Sequence, residues 1–77
     1  MKDMYPKNGL SEVVEFLCAS IGREIKSRRK AFGISQKALS RSSGVRIETV
    51  SRIENGYKNP TLKTVQKLLK ATEKFRK

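Results

Sequence analysis

The sequence has no histidine and no tryptophan, a single aspartate, Asp3, and a single cysteine, Cys18. Each scarcity closes off some chemistry. Without histidine there is no Ser–His or Cys–His nucleophile pair and no histidine-ligated zinc. One cysteine forms no disulfide within the chain, so the sequence is not a disulfide scaffold and suits a reducing compartment. No run approaches the roughly 18 apolar residues of a membrane span, and the first residues lack the charged-then-apolar pattern of a secretory signal. Paired acids in a pocket-forming context are missing, so an enzyme is not expected, nor is a cofactor or a metal. At 77 residues the chain has room for one small domain with a thin core.

What the sequence has in abundance is positive charge. Lysine and arginine number 18 against 7 acids, a formal charge of +11. The excess is uneven. Residues 1–20 carry Lys2 and Lys7 against Asp3, Glu12 and Glu15, a balance of −1, whereas residues 21–77 carry 16 cations against Glu24, Glu48, Glu54 and Glu73, a balance of +12. Such a footprint points to a polyanionic partner. A membrane surface would call for long amphipathic helices. The punctuation here divides the chain into short ones, so no membrane partner is expected.

The apolar spacing is helical throughout, with no alternation of the strand type. Residues 1–9, with Pro6, Asn8 and Gly9, have no period and read as a loose arm. Leu10, Val13, Val14, Leu17, Ile21 and Ile25 form one helical stripe, for which Ser11 can supply the N-cap. Gly22 interrupts it, leaving one long helix or two, and Gly33 stops it. Ser35 is placed to cap a second helix at the amide of Ala38, with Ala38 and Leu39 facing inward. Gly44 reads as a left-handed turn residue and Val45 as a buried linker. A third helix is expected from about Ile47 to Glu54, with Val50 and Ile53 facing in, ended by Asn55-Gly56. After a loop from Tyr57 to Pro60, Thr61 caps a fourth, whose apolar face is read as Leu62, Val65, Leu68 and Leu69.

Two short helices joined at a glycine form a helix–turn–helix pattern, which alone is weakly specific. The specific signal is the joint spacing of Ile25-Lys26-Ser27-Arg28-Arg29-Lys30-Ala31-Phe32-Gly33-Ile34-Ser35-Gln36, Leu39, Gly44-Val45, Val50-Ser51-Arg52-Ile53-Glu54-Asn55-Gly56 and Asn59-Pro60-Thr61-Leu62. Over residues 21–72 this resembles the phage repressor and Cro (XRE) family of DNA-binding domains. The resemblance implies an all-α, lambda-repressor-like bundle of four to five short helices, here with an N-terminal helical extension in residues 1–20 and a basic tail in residues 73–77. It also implies that the third helix enters the major groove while the second crosses the DNA backbone.

Carried onto this chain, the family's base readers fall on Ile47, Glu48 and Arg52, with Thr49 on the same helix and Arg46 just ahead. The forked guanidinium of Arg52 matches guanine O6 and N7. Glu48 can accept from a cytosine amine or simply favour the helix dipole. Ile47 can meet a thymine methyl or pack. Arg46 stands where the family usually has a Ser or Thr cap, which favours a phosphate or base role for it. Gln36 falls where family members contact a phosphate. Asn55, Tyr57 and Lys58 resemble backbone clamps, with Lys37 and Arg41 as further phosphate candidates. The resemblance further pairs Arg29 with Glu54 as a structural ion pair between the first and third helices.

These readings converge on a sequence-specific regulator of transcription that binds double-stranded DNA, acting as a repressor and homodimer on a palindromic operator, cytoplasmic and held to the nucleoid by its DNA. The alternative is an antitoxin, which would bind a toxin protein through residues outside 21–72 and repress its own operon. Residues 1–20 bring Met4, Leu10, Val13, Val14, Phe16 and Leu17, which either extend the core or form a partner surface. Residues 10–20 are expected to be helical and packed, and residues 1–8 mobile.

Overall fold

The computed structural model describes residues 7–56 and 60–76, with side chains from Glu12 onward. Among them are four helices and no strand: α1 (Lys7–Ala31), α2 (Gln36–Ser43), α3 (Ile47–Glu54) and α4 (Leu62–Glu73). The local rules account for most of the boundaries. Ser35 and Thr61 take extended backbone and accept from the amides of Ala38 and Thr64 at 3.0 and 3.1 Å, each satisfying one of the donors a helix start leaves open. After α1 the amide of Gly33 donates to Lys30 and that of Ile34 to Arg29, both at 3.0 Å, the paired closure of a left-handed helix end.

The three C-terminal helices and the second half of α1 share one core of Ile25, Leu39, Val45, Val50, Ile53, Leu68 and Ala71, with Ile21, Ile34 and Leu69 packed against it. Thr72 is buried in α4 with its hydroxyl donating to the Leu69 carbonyl at 2.7 Å. No buried side-chain polar atom among the described residues lacks a partner, as a thin core requires, since an unmade buried hydrogen bond costs about 1–3 kcal/mol.

Three sequence expectations need correction. First, α1 begins at Lys7: residues 7–9 are helical rather than part of an arm, and Ser11 lies inside the helix rather than at its N-cap position. The expected mobility of residues 1–6 falls outside the described residues. Second, the N-terminal stripe is helical but not packed. Val13, Val14, Phe16 and Leu17 are exposed, and along the described side chains of α1 burial begins at Cys18. A 25-residue helix is about 37 Å long, longer than the bundle it packs on, so its first half projects past the other helices. Third, Leu62 does not join the α4 face and is 84% exposed. As the first residue of the helix it sits about a quarter turn from the line through Leu68 and Thr72 that faces the core.

Gly22 does not break α1, which is one helix from Lys7 to Ala31. It is buried where α1 crosses α3, and a β-carbon there would lie 2.1 Å from the Ile53 carbonyl oxygen. One turn earlier Ala19 meets Gly56, where a β-carbon would stand 3.4 Å from the Ala19 α-carbon. Small residues at 19 and 22 thus let α1 lie against the C-terminal end of α3 at backbone contact, closer than helices with larger side chains approach.

Candidate nucleic-acid interface

The site is built on the α2–turn–α3 segment. Gly44 ends α2 in the left-handed region (φ 78°) with its amide donating to the Ser40 carbonyl at 2.9 Å; a β-carbon disfavours that conformation, so glycine is the natural residue for so tight a turn. Two serine hydroxyls then fix the turn. Ser40 Oγ donates to the Val45 carbonyl at 2.6 Å, and Ser43 Oγ accepts from the Val45 amide at 3.1 Å. Val45 is buried between them. Reading the sequence for charged chemistry passes over Ser40 and Ser43; the cue was their position in the last turn before a glycine.

Arg46 occupies the N-cap of α3 without a side-chain cap bond, so its guanidinium is exposed rather than folded back onto the helix. Val50, Ile53 and Glu54 are buried. On a helix, residues four and seven after a given position return to nearly the same face. Glu48, Arg52 and Asn55 therefore form one line, opposite the buried one, and all three are exposed. Ile47, 39% exposed, and the half-buried Thr49 flank that line. Asn55 Nδ2 donates to the Ser51 carbonyl at 2.9 Å. On α2, Lys37 and Arg41 are four residues apart on the exposed face, away from the buried Leu39. Tyr57 and Lys58 lie outside the described residues.

The orientation of α3 is held from its buried side. Arg29 Nε and Nη2 donate to the two oxygens of Glu54 at 2.7 and 3.0 Å, and Arg29 Nη1 donates to the Ile34 carbonyl at 3.0 Å. The side chains are 11% and 1% exposed. Gln36 Nε2 donates to Glu54 Oε1 at 3.0 Å. One carboxylate at the end of α3 thereby joins the end of α1, the α1–α2 loop and the first residue of α2. A planar fork on a carboxylate fixes angle as well as distance.

The remaining ion pairs gather around Arg28 and Glu73. Glu24 and Glu73 both hold Arg28, at 2.9 and 3.3 Å, and Glu73 also takes Arg76 at 3.1 Å. The hydrogen bond to Glu24, with the nearby Glu24 and Glu73 charges, raises the Arg28 pKa above its ordinary value. Among the described residues Lys37, Arg41, Arg46 and Arg52 form no ion pair. Arg23, Lys26 and Lys30 on α1 and Lys63, Lys67 and Lys70 on α4 are likewise exposed without an ion pair among the described residues, and α2 and α3 carry Glu48 as their one acid besides Glu54. Among the described residues no three His, Cys, Asp or Glu side chains gather as a metal site, and no helix is long and apolar enough to cross a membrane.

Fold and site together define a helix–turn–helix domain. The helix-turn-helix family model matches residues 25–74, and the chain belongs to that family, in its phage-repressor (XRE) type, a family of DNA-binding transcription regulators. A curated relative from Haemophilus influenzae, described as an uncharacterized HTH-type transcriptional regulator, is 47% identical over 47 residues, which are 61% of this chain and 48% of that protein. The chain thus spans about half the length of this relative. No solved structure matches the chain significantly.

Proposed function

We propose that this protein is a sequence-specific, double-stranded-DNA-binding transcriptional regulator that represses by occupying a palindromic operator as two copies. The observation that carries the reading is the exposed line Glu48–Arg52–Asn55 on a helix clamped from behind, next to Lys37, Arg41 and Arg46, which like Arg52 form no ion pair among the described residues. A major groove about 12 Å wide accepts one helix. With α3 in it, Arg52 reads guanine, Glu48 a cytosine amine and Ile47 a thymine methyl, with Arg46 and Thr49 at the groove's edge. Gln36, Lys37, Arg41 and Asn55, together with Tyr57 and Lys58, hold phosphates and set the register. The DNA-binding unit spans residues 21–72, with the N-terminal extension and the basic tail outside it.

Selection of bound duplexes from a random pool, followed by footprinting, tests this. The expected product is a two-fold motif with half-site centres about 34 Å apart, bound with a log–log salt slope of about −0.9 per phosphate contacted. In a reporter strain, loss of the protein raises expression from a promoter overlapping that motif. A pool that fails to enrich, or binding indifferent to salt, overturns the reading.

A further inference from the structure

We infer that the projecting half of α1 is the surface through which two copies of this chain associate, α1 against α1 and antiparallel. The inference rests, for its purpose, on the two-copy reading above, and it goes beyond that reading by naming the surface and its polarity. Val13, Val14, Phe16 and Leu17 are 44%, 42%, 64% and 52% exposed within five consecutive residues. Elsewhere among the described residues the exposed large apolar side chains are Ile47, less open than these, and Leu62. By helical geometry Val13, Val14 and Leu17 lie on one side of α1 with Ile21, where the stripe runs into the bundle, and Phe16 borders them. From these exposures and ordinary side-chain areas, the patch is on the order of 350 Å² per copy, the size of the largest apolar patch on a typical monomer, which is often functional. Two copies face to face cover roughly twice that in apolar side chain alone, so the polar flanks have to supply the rest of the ~1,000 Å² that a stable interface needs.

Charge identifies the occupant. DNA is a poor one, since Glu12, one turn before Phe16, borders the patch and repels phosphate. A second copy is a good one in one polarity. Glu12 and Arg23 are eleven residues apart, three helical turns, and so lie on the same flank of α1. Both are exposed, and neither forms an ion pair among the described residues; Arg23 makes only a 3.5 Å hydrogen bond to Ser20. In an antiparallel pair, residues on the same flank face each other. With the pair centred between Leu17 and Cys18, Glu12 of each copy meets Arg23 of the other, twice. A parallel pair would instead set this flank of each copy against the other flank of its partner, leaving both Glu12–Arg23 pairs unmade. The antiparallel pair has a two-fold axis across the helices, the symmetry of an isologous dimer and of a palindromic operator.

Sedimentation equilibrium of the full chain without DNA is expected to show a dimer. Phe16→Ser with Leu17→Ser should raise its dissociation constant about 30-fold or more while leaving the melting temperature of the monomer unchanged, because neither side chain is in the core. In a Cys18→Ser background, Leu17→Cys sits next to the two-fold axis and should cross-link on mild oxidation. Val13→Cys, about 13 Å from its mate in this register, should not. A chain that stays monomeric at 100 µM (about), or equal cross-linking at positions 13 and 17, overturns the inference. The two proposals fail separately: a monomer that still selects a half-site sinks the α1 interface alone, and a dimer that selects no sequence sinks the DNA reading alone.

Discussion

Replacing Gly22 by alanine sets two effects of known sign against each other. In an exposed helix the change adds about 0.8–1 kcal/mol of stability, because alanine loses less backbone entropy and is the better helix former. Here the new methyl would stand 2.1 Å from the Ile53 carbonyl oxygen, roughly an ångström inside ordinary contact. The obstacle is backbone and cannot rotate aside, so α1 must move away from α3. Overpacking of this kind costs about 1–3 kcal/mol, and more where nothing yields. The steric effect wins, and the net expectation is a loss of about 1–2 kcal/mol. For a domain of this size that lowers the melting temperature by about 5–15 °C. Displacing α1 also displaces its Arg29 clamp on Glu54, so affinity for a selected duplex should fall although position 22 touches no DNA. Thermal unfolding followed by circular dichroism and a duplex titration measure both. A melting temperature unchanged or raised would show that the helices are not in contact at Gly22 and would refute the reasoning.

Arg52→Ala should weaken binding to the selected duplex by about 1–3 kcal/mol and relax preference at one base pair, whereas Lys37→Ala should weaken all sequences alike and reduce the salt slope by about 1; an unchanged selected motif for Arg52→Ala would remove it from the readers. Glu54→Ala leaves Arg29 as an uncompensated buried charge and should cost about 3–5 kcal/mol in urea unfolding. Leu62→Ser, at a position 84% exposed, should stay within about 0.5 kcal/mol in the same assay.

Much of the fold was legible because it follows local rules. The caps at Ser35 and Thr61, the stop at Gly33 and the inward residues Leu39, Val50, Ile53 and Leu68 all follow from backbone donors and a 3.6-residue period. The errors came where local signals are indifferent to what lies across the bundle. Periodicity drew Val13, Val14 and Leu17 into one stripe with Ile25, but it carries no information on where the neighbouring helices end. The same limit misplaced Leu62, which has the right residue type one helical position off the buried line. Ser11 is a good cap only if a helix starts there, and α1 starts earlier. Gly22 looked like a weakness in a helix because its reason lies 31 positions away at Ile53. At the site, spacing and the family resemblance brought out the charged residues, whereas Ser40 and Ser43, which set the turn, were signalled only by their place in the last turn before Gly44.

Gln36 is where the buried clamp and the outer face meet, and its chemistry permits both roles at once. Its amide nitrogen carries two hydrogens. One is committed to Glu54 Oε1 at 3.0 Å; the other is free to donate to a phosphate oxygen when α2 crosses the DNA backbone, in the role proposed for it above. Gln36→Ala removes both bonds, and because Arg29 still satisfies both oxygens of Glu54, the stability loss should be only about 1 kcal/mol. Gln36→Glu has nearly the same shape, but it sets a carboxylate against Glu54 inside the clamp and presents negative charge to phosphate. It should therefore lose more than the alanine variant in both urea unfolding and duplex affinity, at every sequence alike, since phosphate contacts carry no base preference. If the alanine variant bound duplexes as tightly as the parent while losing that stability, Gln36 would belong to the clamp alone and the phosphate contact would have to come from Lys37 or Arg41.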